Sequence, residues 1–285
     1  MDKEKRYQLI EDGYCCFPKI LDSEILEKTR QVSDHLINHQ KAGHFEAQKS
    51  TGSMISVYDD PFFAELIAYP KALFALKQLG YADPRWSSGY IISKPAHSPP
   101  LFWHQDWWGW NDPISYTKTP QQLFLMYYLV DTSPQNGCLR VIKGSHLKRH
   151  PLHISDGEAH TANWSRYSNP EHPIYQSVAE EVAVPASAGD LIIGDSRLIH
   201  GAYANESDKR RTVITLWYHP EYSKSPESIR AHLSRKQSWV SRWPLWAQKQ
   251  VQNLVPDYSG DCEPLTWNRN PNYSYSEKMI RSIDW

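Results

Sequence analysis

The sequence has no long apolar run. No stretch approaches the roughly 20 consecutive apolar residues that a helix needs to cross a bilayer. The first residues, MDKEKRYQLIEDGY, are charged and lack the apolar region of a secretory signal. We therefore expect neither a membrane partner nor a secretory signal in this chain.

Cysteine and surplus charge are scarce as well. The four cysteines, of which Cys15 and Cys16 are adjacent, form neither a CxxC zinc pattern nor a convincing disulfide framework. This favours a reducing, cytoplasmic location. The 31 Lys and Arg residues are balanced by 32 Asp and Glu residues, whereas nucleic-acid-binding proteins usually carry a basic excess or stripe. We therefore expect no nucleic-acid partner.

The chain contains enough hydrophobic residues to form the core of one large domain. Of the 285 residues, 40% are hydrophobic, and neither an internal repeat nor a low-complexity linker divides them. We therefore predict a single domain over residues 1–285. It comprises a helical N-terminal part (1–80), a β-rich core (about 86–222) and a helical, aromatic-rich tail (223–285).

Two helical stretches are predicted in the first part. One follows a cap at Asp22 or Ser23, because its inward-facing residues recur at i, i+4, i+7 and i+11. These residues are Ile25, Thr29, Val32 and Leu36. The other spans residues 60–80, and Pro70 is expected to divide it into two helices.

The middle of the chain is predicted to form several short strands. The segments GYIISKP, QQLFLMYYLV, EEVAVPA, DLIIGD and RTVITLWYH are rich in β-branched and aromatic residues and are separated by turn formers. Many short strands without helical periodicity favour a sandwich or barrel over a parallel α/β sheet. The tail then carries five tryptophans that we expect to pack against the barrel or a second subunit. They are Trp239, Trp243, Trp246, Trp267 and Trp285.

One aromatic segment, WHQDWWGW (103–110), contains a histidine and an aspartate one residue apart. Two other pairs share this spacing, His44 with Glu46 and His219 with Glu221, so spacing alone is no argument. Context favours His104 and Asp106, because alternation along a strand points residues i and i+2 the same way. No strand orients His44, and Pro220 is expected to splay the pair at His219.

A third ligand is expected from His200, which ends the apolar segment DLIIGDSRLIH. Two histidines and one carboxylate on a shared face form the facial triad of non-haem Fe(II), and its open positions could accept a bidentate co-substrate and dioxygen. Zinc instead prefers closed tetrahedral or three-ligand hydrolytic sites. The alternative for His200 is a hydrogen-bonded core histidine.

Arg211 lies eleven residues after His200, at the start of the strand RTVITLWYH. A returning strand would bring its guanidinium beside the metal, and a buried Arg pairs bidentately with carboxylates. The distal carboxylate of 2-oxoglutarate would be such a partner. Arg210, the neighbour, would point outward by alternation.

At this point the sequence resembles the phytanoyl-CoA dioxygenase family of Fe(II)/2-oxoglutarate oxygenases, over residues 6 to about 222. The resemblance is carried by the spacing of Arg211 and by five segments: EDGYCCFPKILDSE, IISKP (91–95), WHQD (103–106), SPQNGCLRVIKGSH (133–146) and AGDLIIGDSRLIHG (188–201). It implies a mainly β fold with flanking helices, built on a double-stranded β-helix (jelly-roll) core. It also implies that His104, Asp106 and His200 bind iron and that Arg211 anchors 2-oxoglutarate.

The resemblance extends to the co-substrate pocket. Tyr90 and Met126 match positions that line this pocket in family members. Many members carry a Ser or Thr two residues after the distal histidine, where this chain has Ala202. Thr212, Ser93 or Tyr90 could supply the missing hydroxyl.

The remaining aromatic residues are candidates for substrate contact. We expect Trp107, Trp108 and Trp110 to form a wall and lid around the metal, with core packing as the alternative for each ring. Trp217 shares strand parity with Arg211 and should face the same cavity. Aromatic walls suit an alicyclic or cationic small molecule.

We therefore predict an Fe(II)/2-oxoglutarate-dependent dioxygenase that uses O2 to oxidise a small molecule and releases succinate and CO2. The resemblance favours hydroxylation, because related halogenases lack the carboxylate that Asp106 provides. The alternatives are a non-catalytic jelly-roll binding protein and a metal-dependent hydrolase, for which no general base is placed. Either a monomer or a homodimer is compatible with the sequence.

Overall fold

Two antiparallel β-sheets form the centre of the computed structural model, which describes residues 1–153, 161–235 and 237–271. The strands are β1 (Tyr14–Phe17), β2 (Ser53–Ser56), β3 (Arg85–Lys94), β4 (Leu101–His104), β5 (Leu123–Tyr128), β6 (Leu139–Ile142), β7 (Glu181–Val184), β8 (Leu191–Asp195), β9 (His200–Ala202) and β10 (Arg211–His219). One sheet has the strand order β1-β8-β5-β10-β3-β2, and the other has the order β4-β9-β6-β7. This pair of sheets confirms the predicted jelly-roll core.

Helices flank the sheets and come mainly from the N-terminal and C-terminal parts of the chain. They are α1 (Lys3–Asp12), α2 (Ser23–Asn38), α3 (His44–Ala47), α4 (Phe63–Ile67), α5 (Pro70–Gln78), α6 (Ala162–Ser165), α7 (Glu227–Ser234) and α8 (Leu245–Val251). Within the described ranges, no helix is both long and apolar enough to cross a bilayer.

The N-terminal part is helical as predicted, but it also supplies two strands. β1 pairs with β8 and β2 pairs with β3, so both edges of the six-stranded sheet come from this region. The stretch 60–80 is split into α4 and α5, and Pro70 occupies the first turn of α5, where its missing N–H costs no hydrogen bond.

The cap of α2 is Asp22 rather than Ser23. Its side chain accepts a hydrogen bond from the backbone N–H of Ile25 at 3.1 Å. The helix buries Ile25, Thr29, Ser33 and Ile37 against the sheet, whereas Val32 and Leu36 are only partly buried. The predicted helix is therefore confirmed, with its buried face turned by one residue from the predicted stripe.

β10 separates two apolar cores. Ile214, Leu216 and Tyr218 face the helices, while Val213 and Trp217 face the space between the two sheets. All nine residues of this strand are buried, because it lies in the middle of its sheet and is covered on both faces. The face of β10 toward the other sheet is therefore shielded from solvent. Polar side chains on this face need hydrogen-bond or ion-pair partners.

The tryptophans of the tail are buried to different degrees within the chain. Trp243 is buried and stacks on Trp86 at a ring distance of 6.2 Å. Trp239, Trp246 and Trp267 are exposed by 47%, 49% and 37%, although Trp267 stacks on Trp108. Packing of these three rings against a second subunit stays a prediction. The prediction for Trp285 lies outside the described residues.

Candidate metal centre

Three potential metal ligands meet between the sheets: His104, Asp106 and His200. One donor atom from each lies within 4.8 Å of the others. Nε2 of His104 is 3.6 Å from Oδ1 of Asp106, and Nε2 of His200 is 3.6 Å from Oδ2. All three side chains are buried. The residues predicted to form the triad are therefore brought together by the fold.

The strands set the two histidines side by side. His104 ends β4 and His200 begins β9, and the two residues are direct partners in this antiparallel pair. Nδ1 of each ring lies 3.0 Å from the carbonyl oxygen two residues earlier, that of Phe102 or of Leu198. A proton on Nδ1 is donated to that carbonyl, which directs Nε2 of both rings toward Asp106.

Asp106 reaches the histidines by a different route from the one predicted. It lies beyond the end of β4, so strand alternation does not orient it. Instead, the backbone N–H groups of Asp106 and Trp107 both donate to the carbonyl oxygen of Ser196 at 2.8 Å. The residues flanking Ser196, Asp195 and Arg197, form a fully buried ion pair. A turn held by this pair therefore fixes the position of the carboxylate.

Trp217 contacts this carboxylate directly. Its indole Nε1 donates a hydrogen bond to Oδ2 of Asp106 at 2.9 Å. Strand parity predicted that Trp217 faces the cavity, and it does, but its hydrogen bond to Asp106 was not expected.

Arg211 faces the triad from the opposite sheet. It begins β10, is 4% exposed and lines a small inner cavity together with His104, Asp106 and His200. Within the described part of the chain its side chain has neither a hydrogen-bond partner nor an ion-pair partner, and its Nε is fully enclosed. Burial lowers the pKa of this guanidinium. Arg210 is exposed, as alternation predicted.

A second buried cation adjoins Arg211. Lys94 is its cross-strand partner on β3, and its Nζ donates to the carbonyl oxygen of Ser50 at 2.9 Å. Burial lowers the pKa of Lys94 well below its ordinary value, and the charges of Arg211 and Arg140 lower it further. An anion in the inner cavity would relieve this concentration of positive charge. Sequence reasoning missed Lys94, although its pairing with Arg211 follows from the strand register.

Of the residues predicted to bind the co-substrate, Met126 lines the inner cavity and Tyr90 lines a larger outer one. Ser93 and Thr212 line neither, because their hydroxyls face away from the triad and bond each other at 2.8 Å. The prediction that they replace the hydroxyl missing at Ala202 is therefore wrong.

Two other hydroxyls occupy the inner cavity instead. Thr51 and Thr215 line it, and the Oγ1 atom of each is buried without a hydrogen-bond partner. Thr215 has the strand parity of Arg211, so alternation along β10 could have identified it. Thr51 precedes β2 and is more than 50 residues from any ligand of the triad, so no local pattern signals it.

The outer cavity has a volume of about 570 Å³ and adjoins the inner one, since Met54, Asp106 and Trp217 border both. Its walls are largely aromatic. The aromatic residues are Tyr58, Tyr90, Trp108, Trp217, Trp239 and Trp267.

Trp107 and Trp110 line neither cavity. They are 0% and 1% exposed and pack in an apolar cluster with Tyr116, Tyr222 and Ile229. The wall predicted around the metal is therefore wrong for these two rings and holds for Trp108. Successive residues of an irregular loop follow no alternation rule, so the sequence could not separate them.

The remaining histidine candidates do not join the triad. His219 ends β10, fully buried, with its ring 6.2 Å from that of Trp107. A strand therefore places His219, but its side chain stays apart from the triad. His44 lies in α3, and its Nε2 contacts the backbone of Met54.

The chain is similar in sequence to known dioxygenases. The family model for phytanoyl-CoA dioxygenase (PhyH) matches residues 9–213. A probable alpha-ketoglutarate-dependent hypophosphite dioxygenase of Stutzerimonas stutzeri is 23% identical over 235 residues, which cover 76% of this chain and 78% of that protein. Phytanoyl-CoA dioxygenase 1 of Oryza sativa subsp. japonica is 29% identical over 158 residues, covering 55% of this chain and 52% of the rice protein.

Solved structures with the same fold include the non-heme alpha ketoglutarate dependent epimerase SnoN from nogalamycin biosynthesis. It has a TM-score of 0.56 and 20% identity, with 76% of this chain and 81% of SnoN covered. HygX from Streptomyces hygroscopicus, solved with nickel and 2-oxoglutarate, has a TM-score of 0.56 and 16% identity, with 77% of this chain and 87% of HygX covered.

Proposed function

Because the chain belongs to the phytanoyl-CoA dioxygenase (PhyH) family of Fe(II)- and 2-oxoglutarate-dependent oxygenases, we propose that His104, Asp106 and His200 bind iron and that Arg211 binds 2-oxoglutarate. The protein is a 2-oxoglutarate-dependent non-haem iron oxygenase that oxidises a small molecule. The observation that carries the residue assignment is the buried guanidinium of Arg211, which faces the triad and has no partner among the described residues.

The donor set fits iron. Two imidazole nitrogens and one carboxylate, all within 4.8 Å, supply one face of a coordination shell and leave the rest for exogenous ligands. Backbone carbonyls hold the Nδ1 atoms of both rings, and the indole of Trp217 holds Asp106, so the ligands are oriented before any metal arrives.

The surroundings of Arg211 fit a dicarboxylate. A guanidinium in a water-poor site is stable only beside an anion, and it pairs bidentately with carboxylates. The hydroxyls of Thr51 and Thr215 line the same cavity and have no partner, so they can donate to the same anion. These two hydroxyls would replace the one that family members carry at the position of Ala202.

When bound, the iron supplies dioxygen activation, coupled to conversion of 2-oxoglutarate to succinate and CO2 and to oxidation of the substrate. The chain's own residues bind, orient and exclude water. Met126 and Val213 give the inner cavity an apolar lining, which strengthens the electrostatic attraction between Arg211 and a carboxylate. Hydroxylation is the form of oxidation that we propose.

The two rival functions explain less of the site. A non-catalytic binding protein needs neither a triad of oriented ligands nor a buried cation beside it. A metal-dependent hydrolase needs a general base next to the metal, and Asp106 is the only carboxylate among the described residues that line either cavity. That carboxylate is already assigned to the metal.

The test uses the full chain with Fe(II) and 2-oxoglutarate. Without oxygen, we expect a visible charge-transfer absorption when 2-oxoglutarate is added to the Fe(II) protein, and none for the Zn(II) protein. With oxygen, we expect succinate to form. His200→Ala should lose both signals, whereas His44→Ala should keep them. A wild-type protein that shows neither the absorption nor succinate contradicts the proposed function.

A further inference from the structure

Two of the polar groups that line the outer cavity, the amide of Gln122 and the guanidinium of Arg269, take no part in the metal centre. Residue 269 lies beyond the part of the chain that matches the family model, which ends at residue 213. The C-terminal part therefore adds a charged group to the lining of a cavity that also includes Asp106 of the metal centre.

Gln122 lines the outer cavity and is bonded to the turn that positions Asp106. Its carbonyl oxygen accepts a hydrogen bond from the backbone N–H of Ser196, whose own carbonyl holds Asp106. The side chain is 5% exposed, and its Oε1 is buried without a hydrogen-bond partner. A buried amide left unsatisfied is unfavourable, so a ligand that donates a hydrogen bond to it gains affinity.

Arg269 is held in the lining of the outer cavity by the segment that carries it. The backbone N–H of Asn268 donates to the carbonyl oxygen of Trp108 at 2.8 Å. Trp267 stacks on Trp108 with parallel rings 5.5 Å apart, and the guanidinium of Arg269 lies 5.1 Å from the ring of Trp267. Stacking on an aromatic ring keeps a guanidinium oriented for a planar anion.

The charges that line the cavity favour an anion. Among the described residues, Arg269 and Asp106 are the only charged ones in its lining. Asp106 faces both histidines and receives the N–H of Trp217, so its charge is directed to the metal. A carboxylate or phosphonate in this cavity would meet a complementary group in Arg269, whereas the acidic side chain among the described lining residues, Asp106, is turned toward the two histidines.

We propose that the outer cavity binds a small organic anion. Its carboxylate or phosphonate pairs with Arg269, its apolar body lies against Trp108 and Trp217, and a hydroxyl or amide group near the metal bonds Gln122. The aromatic walls suit a ring or a branched alkyl body. This inference rests on the proposed function, because it takes the outer cavity to be the substrate site.

The experiment compares four probes of one shape and different charge. Cyclohexylacetate and cyclohexylmethylphosphonate are the anions, cyclohexylacetamide is neutral, and 2-cyclohexylethylamine is cationic. Dissociation constants are measured by quenching of tryptophan fluorescence in the oxygen-free Fe(II) protein saturated with 2-oxoglutarate. The variants are Arg269→Gln and the control Arg242→Gln. Arg242 also stacks on a tail tryptophan, Trp239, at 4.2 Å, but does not line the cavity.

We expect at least one anion to bind tenfold or more tightly than the amide and the amine. That preference should disappear in Arg269→Gln and persist in Arg242→Gln. Comparison of the two anions then identifies the acidic group. Equal binding of all four probes, binding of none, or a preference that survives Arg269→Gln overturns the proposal. The charge-transfer absorption of the same samples separates the two ideas, since its absence contradicts the proposed function itself.

Discussion

The indole nitrogen of Trp217 lies 2.9 Å from Oδ2 of Asp106 and donates a hydrogen bond to it across the space between the two sheets. The same oxygen is 3.6 Å from Nε2 of His200. A side chain of the six-stranded sheet thus orients a carboxylate that follows β4 of the four-stranded sheet.

Trp217→Phe should weaken iron binding by roughly 10–100-fold, because hydrogen bonds that orient metal ligands are worth about that much in affinity. The phenyl ring keeps most of the packing and removes only the N–H. A competition titration with a chelator measures the effect. Trp243→Phe is the control, since this buried indole donates to the carbonyl of Tyr58, away from the triad. Equal iron affinity in both variants would contradict the orienting role.

His104→Ala, Asp106→Ala and His200→Ala should each abolish turnover while the fold survives. The triad lies at a cavity, so removal of one ligand loses metal rather than core packing. Iron content and circular dichroism check the two parts of this expectation. His219→Ala should keep its iron but lose stability, because this side chain is fully buried against Trp107. A His200→Ala protein with full iron content and activity argues against the assignment.

Arg211→Ala should raise the apparent KM for 2-oxoglutarate by at least tenfold. Loss of a charge-assisted pair from a buried site costs about 2–5 kcal/mol, and each 1.4 kcal/mol is about a factor of ten. The measurement is the initial rate of succinate formation against 2-oxoglutarate concentration. Arg210→Ala should change this KM little, since its side chain is exposed. Greater sensitivity at Arg210 would contradict the register of β10.

Thr215→Val should raise the same KM roughly tenfold. A hydrogen bond to a charged group contributes about 1.5–3 kcal/mol, and the valine keeps the volume of the side chain. Thr212→Val is matched to it on the same strand, because its hydroxyl bonds Ser93 and lies outside the cavity. Thr212→Val should therefore lower the melting temperature without affecting co-substrate affinity. If Thr215→Val leaves KM unchanged, another group replaces the hydroxyl missing at Ala202.

The three tryptophans after Asp106 should behave differently. Trp107→Ala and Trp110→Ala should lose roughly 3–5 kcal/mol of stability, because both rings are packed in a core. Trp108→Ala opens the outer cavity and should uncouple the reaction, so that succinate exceeds oxidised product, since small misplacements of the substrate cost rate steeply. Melting temperature and the succinate-to-product ratio distinguish the two effects. Full coupling in Trp108→Ala would remove this ring from the substrate wall.

Residues on regular strands were the most predictable from the sequence. β10 is an unbroken strand of nine residues, so alternation correctly assigned Arg211 and Trp217 to one side and Arg210 to the other. The same rule puts Thr212 on the far side, where its hydroxyl bonds Ser93, so the prediction that it replaces the hydroxyl missing at Ala202 conflicts with its parity.

Residues supplied by irregular segments were not predictable. Trp107 and Trp108 are adjacent in a loop, and only the fold decides that one is core while the other is wall. Gln122 and Arg269 reach the outer cavity from segments that are far apart in the chain, without any periodic pattern around them. Their positions depend on long-range packing, which a single sequence does not encode in its local spacing.

The division of the site between two sheets makes ligand binding and folding a linked equilibrium. His104 and His200 belong to the four-stranded sheet, whereas Arg211 belongs to the six-stranded sheet. In the proposed binding mode, a dicarboxylate held by both sheets would stabilise them against separation. A ligand that binds only the folded state, at a hundred times its dissociation constant, stabilises that state by about 2.7 kcal/mol. The lifetime of this protein in a warm cell is therefore expected to follow the supply of iron and of 2-oxoglutarate.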